Sequence, residues 1–399
     1  MDNAMTHYDV VIVGGAMAGA TLALALEKMN QETLSIAVIE AVEPKLDQHP
    51  GYDSRSIALS SGTTQLLQDI GLWSGIASFS TPIDHIHVSD RHHMGLTELT
   101  AKELNVDALG YVVELADVGR FYHQKLEISP HIELICPASV LGIDREQSLS
   151  KITLSTGEQI STSLVIAADG AESKTCKSMN IESLNDDFEQ VAIIANITTA
   201  IHPQGKAFER FTEHGPLALL PMSQGRSSLV WCVSPEESQQ ILGYDDDTFL
   251  AHLQQAFGWR LGQLTKTGQR AHYPLWLRRQ KQHISHRFAA IGNAAQTLHP
   301  IAGQGFNLGI RDVFSLADCI TLANQAGNDI GEYSVLSAYQ KRRQPDQQQT
   351  ITMTAGLVSI FANNAFPMVI GRNVSLCAVD TFRAFLKPLT LRAMGRVNR

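Results

Sequence analysis

Four short apolar runs set the pattern of this chain: residues 8–13 (YDVVIV), 35–40 (SIAVIE), 164–169 (LVIAAD) and 287–291 (RFAAI). Each ends on, or is followed by, a glycine or an acid. Apolar runs of this length, rich in β-branched residues, predict strands buried on both faces, as in a parallel sheet covered by helices. Residues 21–29 read as a helix, so the chain opens strand–helix–strand with glycines at the first turn. Near the other end, Ile310, Val313, Phe314 and Ala317 recur at helical spacing. They predict a helix starting around residues 305–307 with one face on the core.

The middle of the chain keeps a different period. Residues 191–197, 208–211, 217–220 and 228–233 read as strands, with turns at 214–216 and 224–225. Strands that follow strands without intervening helices predict a mixed or antiparallel sheet. Residues 81–88 (TPIDHIHV) alternate as one more strand of it. Asp245, Asp246 and Asp247 mark a solvated loop or a helix start. After residues 339–343 a helix is predicted to stop near Pro345. The pattern predicts an α/β fold. A Rossmann-like unit of residues 1–75, 101–180 and 275–350 is interleaved with a smaller, mainly β unit of residues 76–100 and 181–274. A helical segment, 351–399, closes the chain.

Composition narrows the classes of function. A chain of 399 residues, 44% hydrophobic and 18% charged, can bury more than one core. Its net charge of −9 argues against nucleic acid as a partner. The five cysteines (Cys136, Cys176, Cys232, Cys319 and Cys377) are scattered without a CxxC spacing, which suits reduced thiols in the cytoplasm and gives no zinc site. The apolar run 10–26 reads as strand, turn and helix rather than as a leader, because acids and a histidine precede it and glycines interrupt it. Residues 351–399 reverse the charge, with Arg372, Arg383, Lys387, Arg392, Arg396 and Arg399 against Asp380. The apolar stretches there, 356–361 and 365–370, are too short to span a bilayer.

Two glycine-rich stretches carry the candidate chemistry. In the first, Gly14-Gly15-Ala16-Met17-Ala18-Gly19, a free helix N-terminus would offer N–H groups to a pyrophosphate. Gly14 would allow the tight turn and Gly19 the close packing of helix on strand. Glu40, about 20 residues past Gly19, is placed to accept hydrogen bonds from ribose hydroxyls. Ala16 stands where the GxGxxG pattern has its second glycine. The second stretch, residues 292–312, contains Pro300, Gly303 and Gly305, a loop suited to bring backbone N–H groups to a flat ligand. Two such stretches read as a chain returning to one cofactor, and a flavin with an ADP half is long enough to need both.

At these residues the chain resembles the FAD-dependent aromatic hydroxylases, the class A flavoprotein monooxygenases. Three marks carry the resemblance: the first fingerprint, an internal Asp169-Gly170 segment, and GNAAQTLHPIAGQGFN at 292–307. Within that family the likeness is to the branch of ubiquinone biosynthesis, through HPGYDSRSIALSSGT, AFERFTEHGPLALLPMS, SLVWC and FGWRLG. The resemblance implies FAD contacts at Gly14, Gly15, Ala16, Met17, Gly19, Glu40, Arg55, Arg120, Asp169, Gly170, Asn293, Pro300, Gly303, Gln304, Gly305, Phe306 and Asn307. Asn293, Gln296 and Cys176 depart from the family's usual Asp, His and Arg.

The family's cycle implies NAD(P)H as reductant, O2 as co-substrate, and oxygen transfer to a phenol ring through a flavin C4a-hydroperoxide. No GxSxG elbow and no Cys/His nucleophile signature competes with that reading. The branch implies a polyprenylated methoxyphenol as substrate. The alternatives are a sister hydroxylase acting at another ring position or on another phenol, and a non-catalytic flavin- or lipid-binding subunit. Leu219, Pro221 and Trp231 read either as the ring pocket or as ordinary core. His299 reads as a turn-setter before the glycine loop, or else as a base. The pairs His85/His87, His92/His93 and His283/His286 lack the partners a metal needs. The basic tail fits either a peripheral membrane contact or a helical pair packed on the FAD unit. Other proteins of ubiquinone biosynthesis are the implied protein partners.

Overall fold

The computed structural model describes residues 5–31, 33–43, 55–91, 93, 95–362 and 394–395. The first apolar run becomes the strand Thr6–Val13, paired in parallel with Gln159–Ala167 on one side and Ile36–Ile39 on the other. Parallel pairing extends outward to Phe288–Ala290 and to Ile132–Ile135. Five strands therefore point one way, and their C-terminal ends form one edge. That edge carries Gly14, Glu40, Asp169 and Gly292. Ligands of open parallel sheets bind at such an edge.

Both faces of this sheet are covered, which is why its strands read as unbroken apolar runs. Val10, Ile12, Leu164 and Ile166 pack beneath the helices Met17–Met29, Leu115–Ile128 and Gln304–Gln325. Val11, Val13, Val165 and Ala167 face the other way, onto Ile152, Leu154 and Cys176.

The middle of the chain forms a nine-stranded sheet. Its main path runs Gln296–Thr297, Ala271–Gln280, Ser183–Thr199, Arg226–Val233, Gly215–Pro221, Lys206–Thr212, His85–Asp90 and Leu96–Thr100. All pairs on that path are antiparallel except Lys206–Thr212 with His85–Asp90.

Two expectations are corrected. Residues 81–88 are two strands. Thr81–Ile83 joins a three-stranded sheet with Gly110–Glu114 and Ser56–Ser60, whereas His85–Asp90 enters the nine-stranded sheet. The backbone turns at Asp84, whose N–H donates to Gly205. Alternation continues through such a corner and hides it.

The helix expected to stop at Pro345 instead runs from Tyr333 to Ala362 with Pro345 inside it. Proline removes one helical hydrogen bond, but buried charges hold the turn on both sides. Arg343 donates to Asp312 and to Asp346, each at 2.6 Å; Arg311 donates to Asp346 at 2.8 Å, and Gln347 to Asp312 at 3.0 Å.

The apolar stretch 365–370, Cys377, His92, Asp380 and the basic residues from Arg372 onward lie outside the described residues. No helix among the described residues is long and apolar enough to cross a membrane.

Candidate cofactor and substrate site

The first glycine stretch is built around Glu40. Gly14 sits at φ +104°, where a side chain would press 2.6 Å against the Ala168 carbonyl, and its N–H donates to Ile39. Gly15 N–H then donates to Glu40 Oε2 at 2.7 Å and Val42 N–H to Oε1 at 3.0 Å. The acid that ends the second strand is thereby held beside the turn. Gly19 allows the helix to close on the turn: a Cβ there would lie 1.9 Å from the Gly14 carbonyl oxygen.

Ala16 is the N-cap of Met17–Met29 at φ −72° and ψ −174°, extended backbone that any residue adopts. The missing glycine of the fingerprint thus costs no backbone strain. Alanine cannot cap the helix, and no acid occupies its first turn. The helix start is therefore electropositive and suited to an anion.

The second stretch is fixed by Asn307. Its Nδ2 donates to the carbonyls of Ala58 and Gly303, and its Oδ1 accepts from Ser60 N–H and Thr63 Oγ1, all within 2.9 Å. Asn307 has spent its amide on shaping the loop. Gln304 is buried and donates to the Ala302 carbonyl, and Phe306 packs on the core. Gly303, at φ +60°, caps the helix Gln304–Gln325 without a side chain, and no acid lies in its first turn. This second positive helix end can stabilise negative charge on a bound ring by roughly 0.3–1 kcal/mol, and up to about 2 where partly buried. A Cβ on Gly305 would meet nothing nearer than Leu298 Cβ at 4.0 Å. Neighbouring protein does not demand a glycine there, as it does at Gly19.

Close packing brings the two stretches together. A Cβ on Gly292 would lie 2.9 Å from Ala18 Cβ, and one on Gly309 would lie 3.1 Å from Gly292 Cα. Pro300 precedes the short turn Ile301–Gly303 and opens the loop. Arg55 leads into Ser56–Ser60, the strand tied to Asn307, and its carbonyl accepts from Leu115 N–H. These residues fit an FAD: both glycine stretches meet at one strand edge, and the helix starts at Ala16 and Gly303 are both free of acids.

Other expected contacts have different surroundings. Asp169 accepts from Thr175 N–H and Thr175 Oγ1, and from Ser173 Oγ, so it anchors the start of the short helix Lys174–Ser178, whose N-cap is Ser173. Gly170 beside it, at φ +87°, has open space where a side chain would be. Asn293 is exposed. Arg120 is 44% exposed and ion-paired with Asp117 one turn earlier in its helix. Cys176 Sγ donates to the Ala294 carbonyl at 3.7 Å and packs on the underside of the second loop. Gln296 donates to buried Asp312.

Of the two readings open for Leu219, Pro221 and Trp231, ring pocket or ordinary core, the packing of Leu219 and Trp231 is that of core. Leu219 and Trp231 lie in a core with Phe249 and Leu253 of the helix Asp246–Phe257, on the sheet face away from the glycine loop. Pro221, two residues past Leu219, shares its parity. The opposite row, Ile194–Val230–Ala218–Glu209, is joined by direct strand pairing, and each member is partly accessible. Glu209 in this row accepts from Ala302 N–H at 3.3 Å. Burial raises its pKa although solvent still reaches it, the situation of a carboxyl lining a crevice. The sequence signal for it was available: an acid inside the apolar strand AFERF.

His299 is buried. Its Nδ1 accepts from Ile301 N–H, and its Nε2 lies 2.9 Å from Gln190 Oε1. Burial lowers its pKa to about 4. It sets the turn before the loop. His85 and His87 share Glu98, and no metal-binding group of acids, histidines and cysteines occurs among the described residues.

Comparison with known proteins identifies the family. A family profile described as "FAD binding domain" matches residues 7–354. The ubiquinone hydroxylase UbiL of Rhodospirillum rubrum is 33% identical over 98% of this chain and 90% of its own length. The 3-demethoxyubiquinol 3-hydroxylase of Escherichia coli is 32% identical over 97% of this chain and 98% of its own. Among solved structures, PqsL of Pseudomonas aeruginosa, described as a probable FAD-dependent monooxygenase, superposes with a TM-score of 0.79. It shares 19% identity, covering 94% of this chain and all of that one, which speaks to the fold alone.

Proposed function

Since the chain belongs to the FAD-binding class A flavoprotein hydroxylase family, we propose that it hydroxylates a polyprenylated methoxyphenol in ubiquinone biosynthesis, using O2 and NAD(P)H. FAD is its cofactor; when bound, it supplies the redox and oxygen chemistry. The 2-polyprenyl-6-methoxyphenol step is the reading we favour. The observation that carries it is the convergence of the two glycine stretches on one strand edge, through Ala18, Gly292 and Gly309, in a chain matched over nearly its whole length by a ubiquinone hydroxylase and a 3-demethoxyubiquinol 3-hydroxylase.

The protein's own residues would hold and enclose. The helix starts at Ala16 and Gly303 receive the diphosphate and the ring, and Glu40 receives a ribose. The row Ile194–Val230–Ala218 forms an apolar wall for a phenol, with Glu209 at its end. Excluding water there protects reactive species and strengthens polar contacts.

A second reading, hydroxylation at another ring position, is favoured by the 32% identity to a 3-demethoxyubiquinol 3-hydroxylase. The FAD-loaded protein is given NADPH and O2, with and without a short-chain prenyl-methoxyphenol, and product mass is followed. A product heavier by one oxygen, formed only with the phenol, supports the proposal, and the carbon bearing the new hydroxyl separates the two readings. FAD uptake without product or phenol-stimulated NADPH oxidation, over a range of prenylated phenols, would overturn both in favour of a non-catalytic subunit.

A further inference from the structure

The FGWRLG segment has no part in the site described above, yet it is built with care. It links the helix Asp246–Phe257 to the strand Leu264–Thr267. Phe257 and Leu261 are buried on either side, while Trp259 between them is 70% exposed. Gln254 pins both ends of the loop: its Nε2 donates to the carbonyls of Gly258 and Gly262, and its Oε1 accepts from Leu264 N–H. Gly262 N–H closes the turn onto the Trp259 carbonyl, and Ile201 N–H donates to Leu261. Ile201 is itself 54% exposed and in contact with Gly262. A tethered loop thus presents an indole and an isoleucine to solvent.

Arginines crowd the same place. A Cβ on Gly258 would lie 3.7 Å from Arg260 Nη1 and 3.8 Å from Arg210 Nη1, so the two guanidinium groups flank that turn. Arg91 is close enough to act on Arg210. Burial, then Arg260, then Arg91, lower the pKa of Arg210, with Asp90 opposing them. Among the described residues none of the three forms an ion pair, and the buried Nε atoms of Arg91 and Arg210 have no hydrogen-bond partner. Asp90 lies 3.2 Å from His93. On a chain of net charge −9, this is an undercompensated cationic patch beside exposed apolar side chains.

We propose that this face docks the protein on an anionic lipid surface, with Trp259 and Ile201 entering the headgroup boundary and Arg91, Arg210 and Arg260 taking lipid phosphates. Trp suits that boundary because its ring is apolar with one polar edge. A partner protein needs an interface of roughly 800 Å² per side, whereas a peripheral lipid contact combines two smaller signals, apolar insertion and charge attraction, and this face presents both. The surface is distinct from the basic C-terminal tail and does not depend on which phenol is oxidised.

Full-length, FAD-loaded protein is sedimented with phosphatidylcholine vesicles, with or without phosphatidylglycerol, and tryptophan emission is followed. Binding is expected only with the anionic lipid, with a blue shift that Trp259→Phe abolishes. Trp259→Ser and the double change Arg210→Gln/Arg260→Gln should each weaken partition by roughly tenfold. Unchanged FAD absorbance and melting temperature check the fold, and Arg260→Gln alone, at an exposed position, serves if the double variant is unstable. Wild-type-like partition of these variants would overturn the proposal and leave binding to the tail. The same emission change with inorganic phosphate would make the patch a soluble-anion site. No vesicle binding at all would leave it to a protein partner.

Discussion

Glu209 accepts a hydrogen bond from the backbone N–H of Ala302, tying the central strand Lys206–Thr212 to the glycine loop at 3.3 Å. The contact bridges the nine-stranded sheet and the start of the Gln304–Gln325 helix, across the place where ring and phenol would meet. Phe211, two residues on and on the same face, packs against Ile301 of that loop and Val358 of the last helix. An acid at such a junction is costly when ionised.

Burial raises the pKa of Glu209, so its protonated form favours the fold. That stabilisation is full below the ordinary carboxylate range, about 4.3, and is lost as pH rises through the folded-state value. Glu209→Gln keeps the acceptor for Ala302 and cannot ionise. We expect it to raise stability by about 1 kcal/mol at pH 8, with the gain vanishing toward pH 4. Thermal unfolding of both proteins across that range checks this, and a pH-independent difference would refute it.

Gly19 and Gly305 are glycines for different reasons, and substitution should separate them. Gly19→Ala places a methyl against the Gly14 carbonyl and should destabilise the apoprotein by about 1–3 kcal/mol. Gly305→Val projects into space the protein leaves open. Its apoprotein should melt within a few degrees of wild type and fail to retain the yellow cofactor. A fully yellow Gly305→Val protein would show that the ring does not lie at this helix start.

The register of the nine-stranded sheet yields a second pair. Trp231→Phe removes area from the core around Phe249 and should cost roughly 1–2 kcal/mol of stability while leaving the KM for the phenol unchanged. Ala218→Val, on the row with Glu209, should raise that KM several-fold with little change in melting temperature. Steady-state kinetics beside calorimetry decides it; the reverse pattern would place the phenol on the far face.

These cases show which parts of the molecule could be read in advance. The doubly covered strands at Val10–Val13 and Leu164–Ala167 need no partner to be recognised, because burial on both faces makes them apolar at every position. Glycine stretches announce backbone approach, and Glu40 follows from its place after the second strand. The sides of the central sheet were not legible. Both of its faces carry apolar residues, so Leu219 and Ala218 look alike until the helix Asp246–Phe257 claims one side. The corner at Asp84 and the helix continuing through Pro345 were hidden for a related reason. Each depends on a distant partner, Gly205 in one case and Asp312 in the other.

His299 shows how such a partner settles a role. Both ring nitrogens are engaged, Nδ1 by Ile301 N–H and Nε2 with Gln190, and burial lowers the pKa to about 4. The neutral ring therefore supports the fold above the unfolded value of about 6.5, and that support is lost as pH falls toward 4. By linkage the loss amounts to about 3 kcal/mol. Urea unfolding of wild type between pH 7 and 4 should show it, and His299→Gln should flatten the profile while lowering stability at pH 7. A general base would behave otherwise: His299→Gln would then remove a titration from the rate of phenol oxidation, measured on protein that still holds its FAD. We expect the pH–rate profile of that variant to keep its shape and the pH–stability profile to change.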